Sequence, residues 1–565
     1  MAFPNGLSDL IEIFALQGIN QAVICPGSRN APIMLALTRN KNFTCYSISD
    51  ERSAAFFGLG LAQKTKKPVV LCCTSGSAGL NMAPAVAEAY FQEIPLIVLT
   101  ADRPKEWIEQ WDGQTIFQAN LFGPHVKKAL EFPTQASSEK DFAWYQNRIA
   151  NEAALIAQKA PKGPVHINIP ISEPFYPGKE EEIPSAKNTK IIQLIEGEVD
   201  VTKEMKWVIQ QSLSQNPHVI ITVGQLDPDP EIQDLLIQLN ALGIPVIGDA
   251  TANIPESIQL NHDLILSNDL VWRDLAADVV IHIGKSFVSK RIKQFIRRYP
   301  AAQQWWIDPN KSQTLKDPFQ NLSHVMAIQP ANFLRAWIQE ASKMPITKAY
   351  GDQWKQFDQE VKEIQKTFFE SGNWSEIHLL NNVFKHLKAY NGDLHVANSL
   401  AVRYINWTAE NVSHLNVYAN RGTSGIDGCL STAVGAAQAT NELVISLIGD
   451  VAFQYDRNAL WNQYLPANLR IIVLNNQGGG IFRNLEGAKD LPELETYMET
   501  EQRFRAKNTA IDAGIAYFNA KNEAELAAIL PEFFEKSQTA QLLEIETDSI
   551  QNAEHLKAYM SLFKG

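Results

Sequence analysis

Two apolar segments near the C-terminal end of the chain each lead into residues that can bind a metal ion. One precedes Gly449 and Asp450, and the other precedes Asn475, Asn476 and the glycines that begin at Gly478. Apolar runs that stop abruptly at polar residues are typical of buried parallel strands, whose carboxyl ends meet at one edge of a sheet. A carboxylate, an amide oxygen and a glycine carbonyl suit a magnesium ion that also holds a diphosphate. In the alternative interpretation, the Asp and the Asn only cap helices in two ordinary strand–helix units.

Glu51 is a second acidic residue at a predicted strand-to-helix transition, directly after Asp50. The helix that follows contains many small residues, which would permit close packing against another element. An acidic residue in the first turn also stabilises a helix through the helix dipole. From this segment alone, that structural role explains Glu51 as well as a catalytic role does.

The composition predicts a globular protein with several domains. A chain of 565 residues is too long for one hydrophobic core, and its 45% hydrophobic and 20% charged residues are ordinary for such a protein. The net charge of -12, without any basic block, argues against a nucleic-acid partner or an anionic membrane surface. An acidic protein that binds anions must concentrate its arginines locally, so single Arg positions are informative.

The sequence also predicts a cytoplasmic protein without membrane insertion. Its first residues lack the pattern of a signal peptide, and no apolar run approaches the roughly 20 residues of a membrane helix. The five cysteines have no metal-ligand spacing and lie mostly in apolar runs, as expected for reduced, buried thiols.

Strand-like and helix-like segments alternate along the chain, which indicates an α/β fold of three doubly wound parallel-sheet domains. We predict the domains at residues 1–178, 190–343 and 352–565. Residues 174–190, with prolines, a glycine and three consecutive glutamates, resemble a linker.

Several longer motifs make a resemblance specific. They are Cys25–Pro32, Asp50–Arg52, Thr74–Ala78, Leu99–Pro104, Gly113–Ile116, Ser289–Arg291, Asn398–Arg403 and Asn420–Gly428. Together with the Gly449–Asp450 and Asn475–Asn476 pairs, they resemble the thiamine-diphosphate enzymes named 2-succinyl-5-enolpyruvyl-6-hydroxy-3-cyclohexene-1-carboxylate synthases. The resemblance spans essentially the whole chain. The glycine that commonly follows the Gly-Asp pair in thiamine enzymes is replaced here by Val451.

The resemblance implies thiamine diphosphate as the cofactor, held by Mg²⁺ with Mn²⁺ as an alternative. Glu51 is implied to hydrogen-bond the cofactor's pyrimidine ring, and Ile426 to support its bent shape. The implied metal ligands are Asp450, Asn476 and the carbonyl of Gly478, which leaves Asn475 to hold the loop. Ser399 and Gly449 complete the implied cofactor-binding set.

The implied reaction joins 2-oxoglutarate to isochorismate with loss of carbon dioxide, in menaquinone or phylloquinone biosynthesis. Both substrates are dicarboxylates, which arginines bind through paired hydrogen bonds. Arg403 and Arg421 are predicted for the carboxylates of the intermediate, and the implied set for isochorismate is Arg29, Arg103, Lys290 and Arg291. The remaining implied substrate contacts are Ser28, Gln114, Ile481 and Phe482. The implied catalytic residues are Glu51, Arg29, Gln114, Arg403 and Arg421.

Glu51 and Asp450 belong to different predicted domains, so the site could require two chains. The resemblance implies a homodimer or homotetramer with active sites at the subunit interface. Two alternatives stay open: another carboligase of the acetolactate-synthase type, and a non-catalytic thiamine-binding homologue. The first would need fewer anion-binding arginines and usually an FAD signature, and the second would predict loss of Glu51 or of a metal ligand.

Overall fold

The computed structural model describes residues 4–564 except 5, 134–137, 174, 177–182, 196, 198–199, 311–313, 345–346 and 411. Three parallel sheets follow one another along the chain, with six, five and six strands. This confirms the predicted α/β class of three parallel-sheet domains. The predicted domain boundaries stay predictions.

The N-terminal sheet has the strand order β2-β1-β3-β4-β6-β5. Its strands are β1 (Gln21–Ile24), β2 (Thr44–Ser47), β3 (Val69–Cys73), β4 (Leu96–Asp102), β5 (Lys128–Glu131) and β6 (Val165–Pro170). Its helices are α1 (Leu7–Leu16), α2 (Ala31–Arg39), α3 (Glu51–Thr65), α4 (Ser77–Asn81), α5 (Ala83–Gln92) and α6 (Glu139–Gln158). Alternate residues of β3 enter two different hydrophobic cores, so both faces of the sheet are covered.

The middle sheet has the order β11-β10-β9-β7-β8. Its strands are β7 (Val219–Val223), β8 (Val246–Gly248), β9 (Val279–Ile283), β10 (Gln303–Ile307) and β11 (His324–Met326). Its helices are α7 (Lys203–Leu213), α8 (Pro230–Ala241), α9 (His262–Ile265), α10 (Lys290–Arg298) and α11 (Pro330–Ala341).

The C-terminal sheet has the order β13-β12-β14-β15-β17-β16, which repeats the topology of the N-terminal sheet. Its strands are β12 (Gly392–Val396), β13 (Asn416–Tyr418), β14 (Leu443–Gly449), β15 (Leu469–Asn475), β16 (Ala516–Ala520) and β17 (Gln541–Glu546). Its helices are α12 (Ala349–Glu370), α13 (Glu376–Leu387), α14 (Ala401–Tyr404), α15 (Cys429–Gln438), α16 (Asp450–Tyr455), α17 (Ala506–Asp512), α18 (Glu523–Phe534) and α19 (Ser549–Ser561). The chain reverses its direction across the sheet between β12 and β14. Such a switch point is where parallel sheets usually bind ligands.

Helices α3 and α15 join the N-terminal and C-terminal sheets through one shared hydrophobic core. Their backbones approach so closely that a Cβ atom at Gly60 would lie 2.0 Å from the carbonyl oxygen of Thr432. A Cβ at Gly435 would likewise lie 2.0 Å from the carbonyl oxygen of Phe57. The small residues noted after Glu51 therefore fix the position of α3 against the C-terminal half of the chain.

Part of the predicted linker, residues 174 and 177–182, lies outside the described residues. The described part that follows runs along α1 and α6. The backbone N–H groups of Lys187 and Asn188 donate to Asp9, and the N–H of Lys190 donates to Asn147. This segment is therefore fixed to the N-terminal domain. No helix among the described residues is long and apolar enough to cross a membrane.

Candidate active site

The carboxyl ends of β14 and β15 lie side by side, because Gly449 pairs with Leu474 in register. This places Asp450 next to the loop that follows β15. The Asp450 carboxylate is buried and accepts a hydrogen bond of 2.9 Å from Gln502 Nε2. Burial raises the pKa of Asp450 to about 6, although backbone N–H groups of Val451, Gln477 and Gly478 favour its charged form. The predicted metal residues of the two strands therefore meet at one place.

The two asparagines at the end of β15 have different partners. Asn475 Nδ2 donates to the buried Glu544 at 2.6 Å, which ties the strand end to β17. Asn476 Nδ2 donates to Glu376 at 2.8 Å, while its Oδ1 accepts the N–H of Gly478 at 3.2 Å. The amide oxygen of Asn476 therefore faces the loop and is the one suited to a cation.

Residues 499–502 are joined to this loop by two backbone hydrogen bonds. The carbonyl of Glu499 accepts the N–H of Gly479 at 2.7 Å, and the carbonyl of Gln477 accepts the N–H of Gln502 at 2.9 Å. Gln477 is held at a φ of 67°, in the left-handed region that non-glycine residues rarely adopt. These two hydrogen bonds thus fix the loop in an unusual conformation.

A small oxygen-rich site of this kind fits a hard divalent cation. Asp450 supplies one carboxylate, and Asn476 and the Gly478 carbonyl supply neutral oxygens. Among the described residues there is no cluster of three or more His, Cys, Asp or Glu side chains that could hold a metal. A Cβ at Gly449 would have no atom within 4 Å, so there is open space in front of the strand end for a bound group.

Arg403 and Arg421 lie together near the carboxyl end of β12. Burial and the neighbouring Arg421 lower the pKa of Arg403, and burial lowers that of Arg421. Arg421 donates to Asn398 Oδ1 at 2.7 Å, but its buried Nε has no hydrogen-bond partner among the described residues. Two like charges with an unused buried donor form a site that an anionic ligand would stabilise.

Asn398 fixes the chain on both sides of Arg421. Its Nδ2 donates to the carbonyls of Asn420 and Gly425 at 2.8 and 2.7 Å, which brings the loop of Ile426 against Ser399. Ser399 has a φ of 73°, and its carbonyl accepts a hydrogen bond from Arg403. The predicted cofactor residues Ser399 and Ile426 are therefore adjacent, and partly buried Ile426 packs on the core between α3 and α15.

A second cationic cluster lies in the N-terminal domain. Arg29 is buried, stacks over Phe175 at 4.6 Å and donates to the carbonyl of Ile171. Burial and the nearby Arg103 lower its pKa. Arg103 is paired with Asp112 at 2.8 Å and donates to the carbonyl of Gly113.

Gln114 and Ser28 lie in exposed loops of the same domain. Gln114 has a φ of 55°, and a Cβ at Gly76 would lie 3.3 Å from its Cα. The predicted Gln114 therefore lies against the loop that follows β3, at the carboxyl edge of the N-terminal sheet.

Lys290 and Arg291 begin α10 in the middle domain. Lys290 is exposed, whereas Arg291 is paired with the buried Asp263 at 2.8 Å. Asp263 also accepts a hydrogen bond from Trp407 of the C-terminal domain, at 2.6 Å. Burial disfavours the charged form of Asp263, but Arg291 and the other partners hold the pKa of Asp263 below its usual value. The contacts of Asp263 with Arg291 and Trp407 therefore attach the middle domain to the C-terminal domain near Arg403.

The partly buried Glu51 begins α3, while the preceding Asp50 caps that helix. The Glu51 carboxylate has no hydrogen-bond or ion-pair partner among the described residues, so its structural contribution to α3 is the helix-dipole interaction alone. Ile481 and Phe482 follow the metal loop and are partly buried. Ile481 packs against a core cluster shared by the middle and C-terminal domains.

Family models agree with this three-part architecture. Residues 4–122 match the thiamine pyrophosphate enzyme, N-terminal TPP binding domain, and residues 399–545 match the corresponding C-terminal TPP binding domain. Residues 194–396 match the middle domain of thiamine pyrophosphate enzymes.

Curated relatives cover nearly the whole chain. The 2-succinyl-5-enolpyruvyl-6-hydroxy-3-cyclohexene-1-carboxylate synthase of Cytophaga hutchinsonii is 40% identical over 98% of this chain and 98% of its own length. The chain belongs to this family. The synthases of Porphyromonas gingivalis (35% identical, 99% of this chain and 97% of theirs) and Flavobacterium johnsoniae (37%, 97% and 97%) carry the same name. The synthase family and thiamine diphosphate (thiamine pyrophosphate) as the cofactor are thus confirmed, and the acetolactate-synthase-like and non-catalytic alternatives are not favoured.

Two buried glutamates of the site were missed by the sequence analysis. Glu376 of α13 accepts hydrogen bonds from Asn476 and Tyr404, and burial raises its pKa to about 7. Glu88 of α5 accepts the backbone N–H groups of Gly422 and Thr423 at 2.8 and 2.6 Å, which fixes the loop of Arg421. Both lie in helices without a motif, so only their tertiary contacts reveal them.

Proposed function

We propose that this synthase decarboxylates 2-oxoglutarate and joins the remaining four-carbon unit to isochorismate, in menaquinone or phylloquinone biosynthesis. The product would be 2-succinyl-5-enolpyruvyl-6-hydroxy-3-cyclohexene-1-carboxylate, with release of carbon dioxide. The observation that carries the proposal is the Arg403–Arg421 pair beside the candidate cofactor site, with one buried donor left unused. Such a pair favours a 2-oxo acid with a second carboxylate over pyruvate.

In this proposal, Asp450, Asn476 and the Gly478 carbonyl bind Mg²⁺ or Mn²⁺, and the metal binds the diphosphate of the cofactor. When bound, thiamine diphosphate supplies the nucleophilic carbon and the electron sink for decarboxylation. Gly449 leaves room at the end of β14, and Ser399 and Ile426 would help to hold the cofactor there. The free carboxyl group of Glu51 holds a proton at the pyrimidine ring nitrogen.

The charged side chains divide between the two substrates. Arg403 and Arg421 would hold the two carboxylates of 2-oxoglutarate, one of which stays on the four-carbon unit after carbon dioxide is lost. The proposed isochorismate contacts are Ser28, Arg29, Arg103, Gln114, Lys290 and Arg291, and the proposed apolar wall is Ile481 and Phe482. Planar guanidinium groups orient carboxylates through two parallel hydrogen bonds, which a single ammonium cannot do.

We also infer that the active site is shared between two copies of the chain, in a homodimer or homotetramer. Glu51 has no partner among the described residues, and no hydrogen bond joins it to the metal loop of its own chain. A second copy that places its metal loop against Glu51 would complete the site. A cytoplasmic location agrees with both proposed substrates, which are small anionic metabolites.

The direct test mixes the protein with thiamine diphosphate, Mg²⁺, 2-oxoglutarate and isochorismate, and follows the loss of isochorismate. Loss is expected only when all four are present. Glu51→Gln should reduce kcat by about 10²–10⁴-fold, the usual range for a proton-transferring group. Turnover with pyruvate but not with 2-oxoglutarate would reject the proposal.

A further inference from the structure

We propose that Glu376 is a positioning residue for the metal site, which fixes the side-chain amide of Asn476 so that its oxygen faces the cation. This inference rests on the proposed metal site at Asp450, Asn476 and Gly478. Glu376 lies in α13, which begins a hundred residues before Asn476. It is 2% exposed and accepts the Asn476 Nδ2 at 2.8 Å.

An asparagine amide can turn either its oxygen or its NH₂ group toward a ligand, and the NH₂ group would repel a cation. In its ionised form, which the donors Tyr404 and Asn476 on its two oxygens favour, a carboxylate only accepts hydrogen bonds, so it can pair with the NH₂ group but not with the oxygen. Glu376 therefore selects one of the two orientations of Asn476. The Asn476 oxygen then points into the loop, where the N–H of Gly478 donates to it at 3.2 Å.

Glu376 is itself held from three directions. Its Oε2 accepts the hydroxyl of Tyr404 at 2.8 Å, and the hydroxyl of Thr547 lies 3.5 Å from its Oε1. Its backbone N–H donates to Asn552 at 2.9 Å, and Asn552 in turn donates to Thr547 at 2.9 Å. A carboxylate fixed this firmly can orient its partner.

The Tyr404 contact connects the metal loop to the anion site. Tyr404 directly follows Arg403, a proposed substrate contact, in α14. Glu376 therefore contacts both Tyr404 and the proposed metal ligand Asn476. The same carboxylate therefore sets the distance between these two parts of the site. Residues that orient metal ligands in this way typically contribute about 10- to 100-fold to metal affinity.

The test measures Mn²⁺ binding to the full-length protein with thiamine diphosphate, from the electron paramagnetic resonance signal of free Mn²⁺. Glu376→Ala and Glu376→Asp should weaken binding about 10- to 100-fold, because neither side chain reaches Asn476. Glu376→Gln should stay close to the wild type, because its amide oxygen can still accept the Asn476 NH₂ group. If Glu376 acted only through its negative charge, Glu376→Asp would bind normally and Glu376→Gln would not, and this result would overturn the proposal.

Two further variants separate this role from general destabilisation. Tyr404→Phe removes one of the contacts that fix Glu376 and should weaken Mn²⁺ binding less than Glu376→Ala does, because the contacts with Asn476, Thr547 and Asn552 remain. Glu340→Ala removes a different buried glutamate, in the middle domain, that accepts hydrogen bonds from Gln210 and Lys343. It should affect thermal stability but not Mn²⁺ affinity. If Glu376→Ala does not fold, the Asp and Gln variants decide the question.

Asp450→Ala provides the baseline for loss of the metal site. If wild-type protein binds no more Mn²⁺ than Asp450→Ala, the proposed metal site fails and this inference fails with it. If the wild type binds Mn²⁺ and all Glu376 variants bind equally well, only the positioning role is wrong.

Discussion

Replacing Asp450 by Asn should stabilise the metal-free protein at neutral pH while it removes metal binding. Burial raises the pKa of Asp450 from 3.8 to about 6. A carboxyl group whose pKa is higher in the folded protein than in the unfolded chain binds its proton more tightly when folded. Its ionisation therefore opposes folding above the folded pKa, and this penalty disappears below the unfolded pKa. An amide never ionises and avoids the penalty, but its NH₂ group replaces one acceptor oxygen, so a lost hydrogen bond from Val451 N–H or Gln502 Nε2 offsets part of the gain at every pH.

The size of the effect follows from the two pKa values. Each pKa unit corresponds to about 1.4 kcal/mol, so the change from 3.8 to about 6 predicts a gain of at most about 3 kcal/mol for Asp450→Asn. The gain should be complete above about pH 6 and should vanish as the pH falls below 3.8. A domain of about 200 residues gains roughly 2–4 °C per kcal/mol, so the melting temperature should rise by at most roughly 6–12 °C.

The assay compares apparent melting temperatures of wild type and variant in EDTA, from pH 8 to pH 4 at one scan rate. Asp512→Asn, an exposed aspartate of α17, is the matched control and should change little at any pH. Added Mg²⁺ and thiamine diphosphate should raise the melting temperature of the wild type only. A melting-temperature difference between variant and wild type that stays the same from pH 8 to pH 4 would refute the explanation by burial of a charged carboxylate.

Three further predictions concern the loops around the site. Arg421→Lys should raise the KM for 2-oxoglutarate about 10- to 100-fold, because a charge-assisted hydrogen bond is worth about 1.5–3 kcal/mol. The control in steady-state kinetics is Arg335→Lys, at an exposed position. A KM of Arg421→Lys equal to that of the wild type would contradict the prediction. Glu88→Gln should cost about 1–3 kcal/mol and lower the melting temperature, because its NH₂ group would face donors of the Arg421 loop; an unchanged melting temperature would count against this contact. Mixed Glu51→Gln and Asp450→Ala chains should regain activity after subunit exchange if sites are shared, and no recovery would argue for sites within one chain.

The central strands were predictable, whereas only half of the edge strands were. Continuous apolar runs such as Val219–Val223 and Val279–Ile283 are buried on both faces, and the structure has strands at those residues. Three edge strands were missed, at Lys128–Glu131, His324–Met326 and Ala516–Ala520. Every residue of the first is only partly buried, so its sequence lacks the apolar signal of a central strand.

The candidate site shows a similar division. Strand ends and short motifs predicted Asp450 and Asn476, because their chemistry is visible in the local sequence. Glu376 and Glu88 could not be predicted, because they reach the site from helices distant in sequence. The left-handed backbone at Ser399 was also hidden, since the sequence there contains no glycine. Such features arise from tertiary contacts that fix a loop.

The most direct test of the proposed function is a competition between two 2-oxo acids for isochorismate. The protein is mixed with isochorismate, thiamine diphosphate, Mg²⁺ and equal concentrations of ¹³C-labelled 2-oxoglutarate and unlabelled pyruvate. The product is identified by NMR and mass spectrometry. The product should carry the labelled succinyl unit on the isochorismate-derived ring, and Arg421→Lys should reduce its formation. A product that carries an acetyl unit, or free decarboxylation without attachment to the ring, would contradict the proposal.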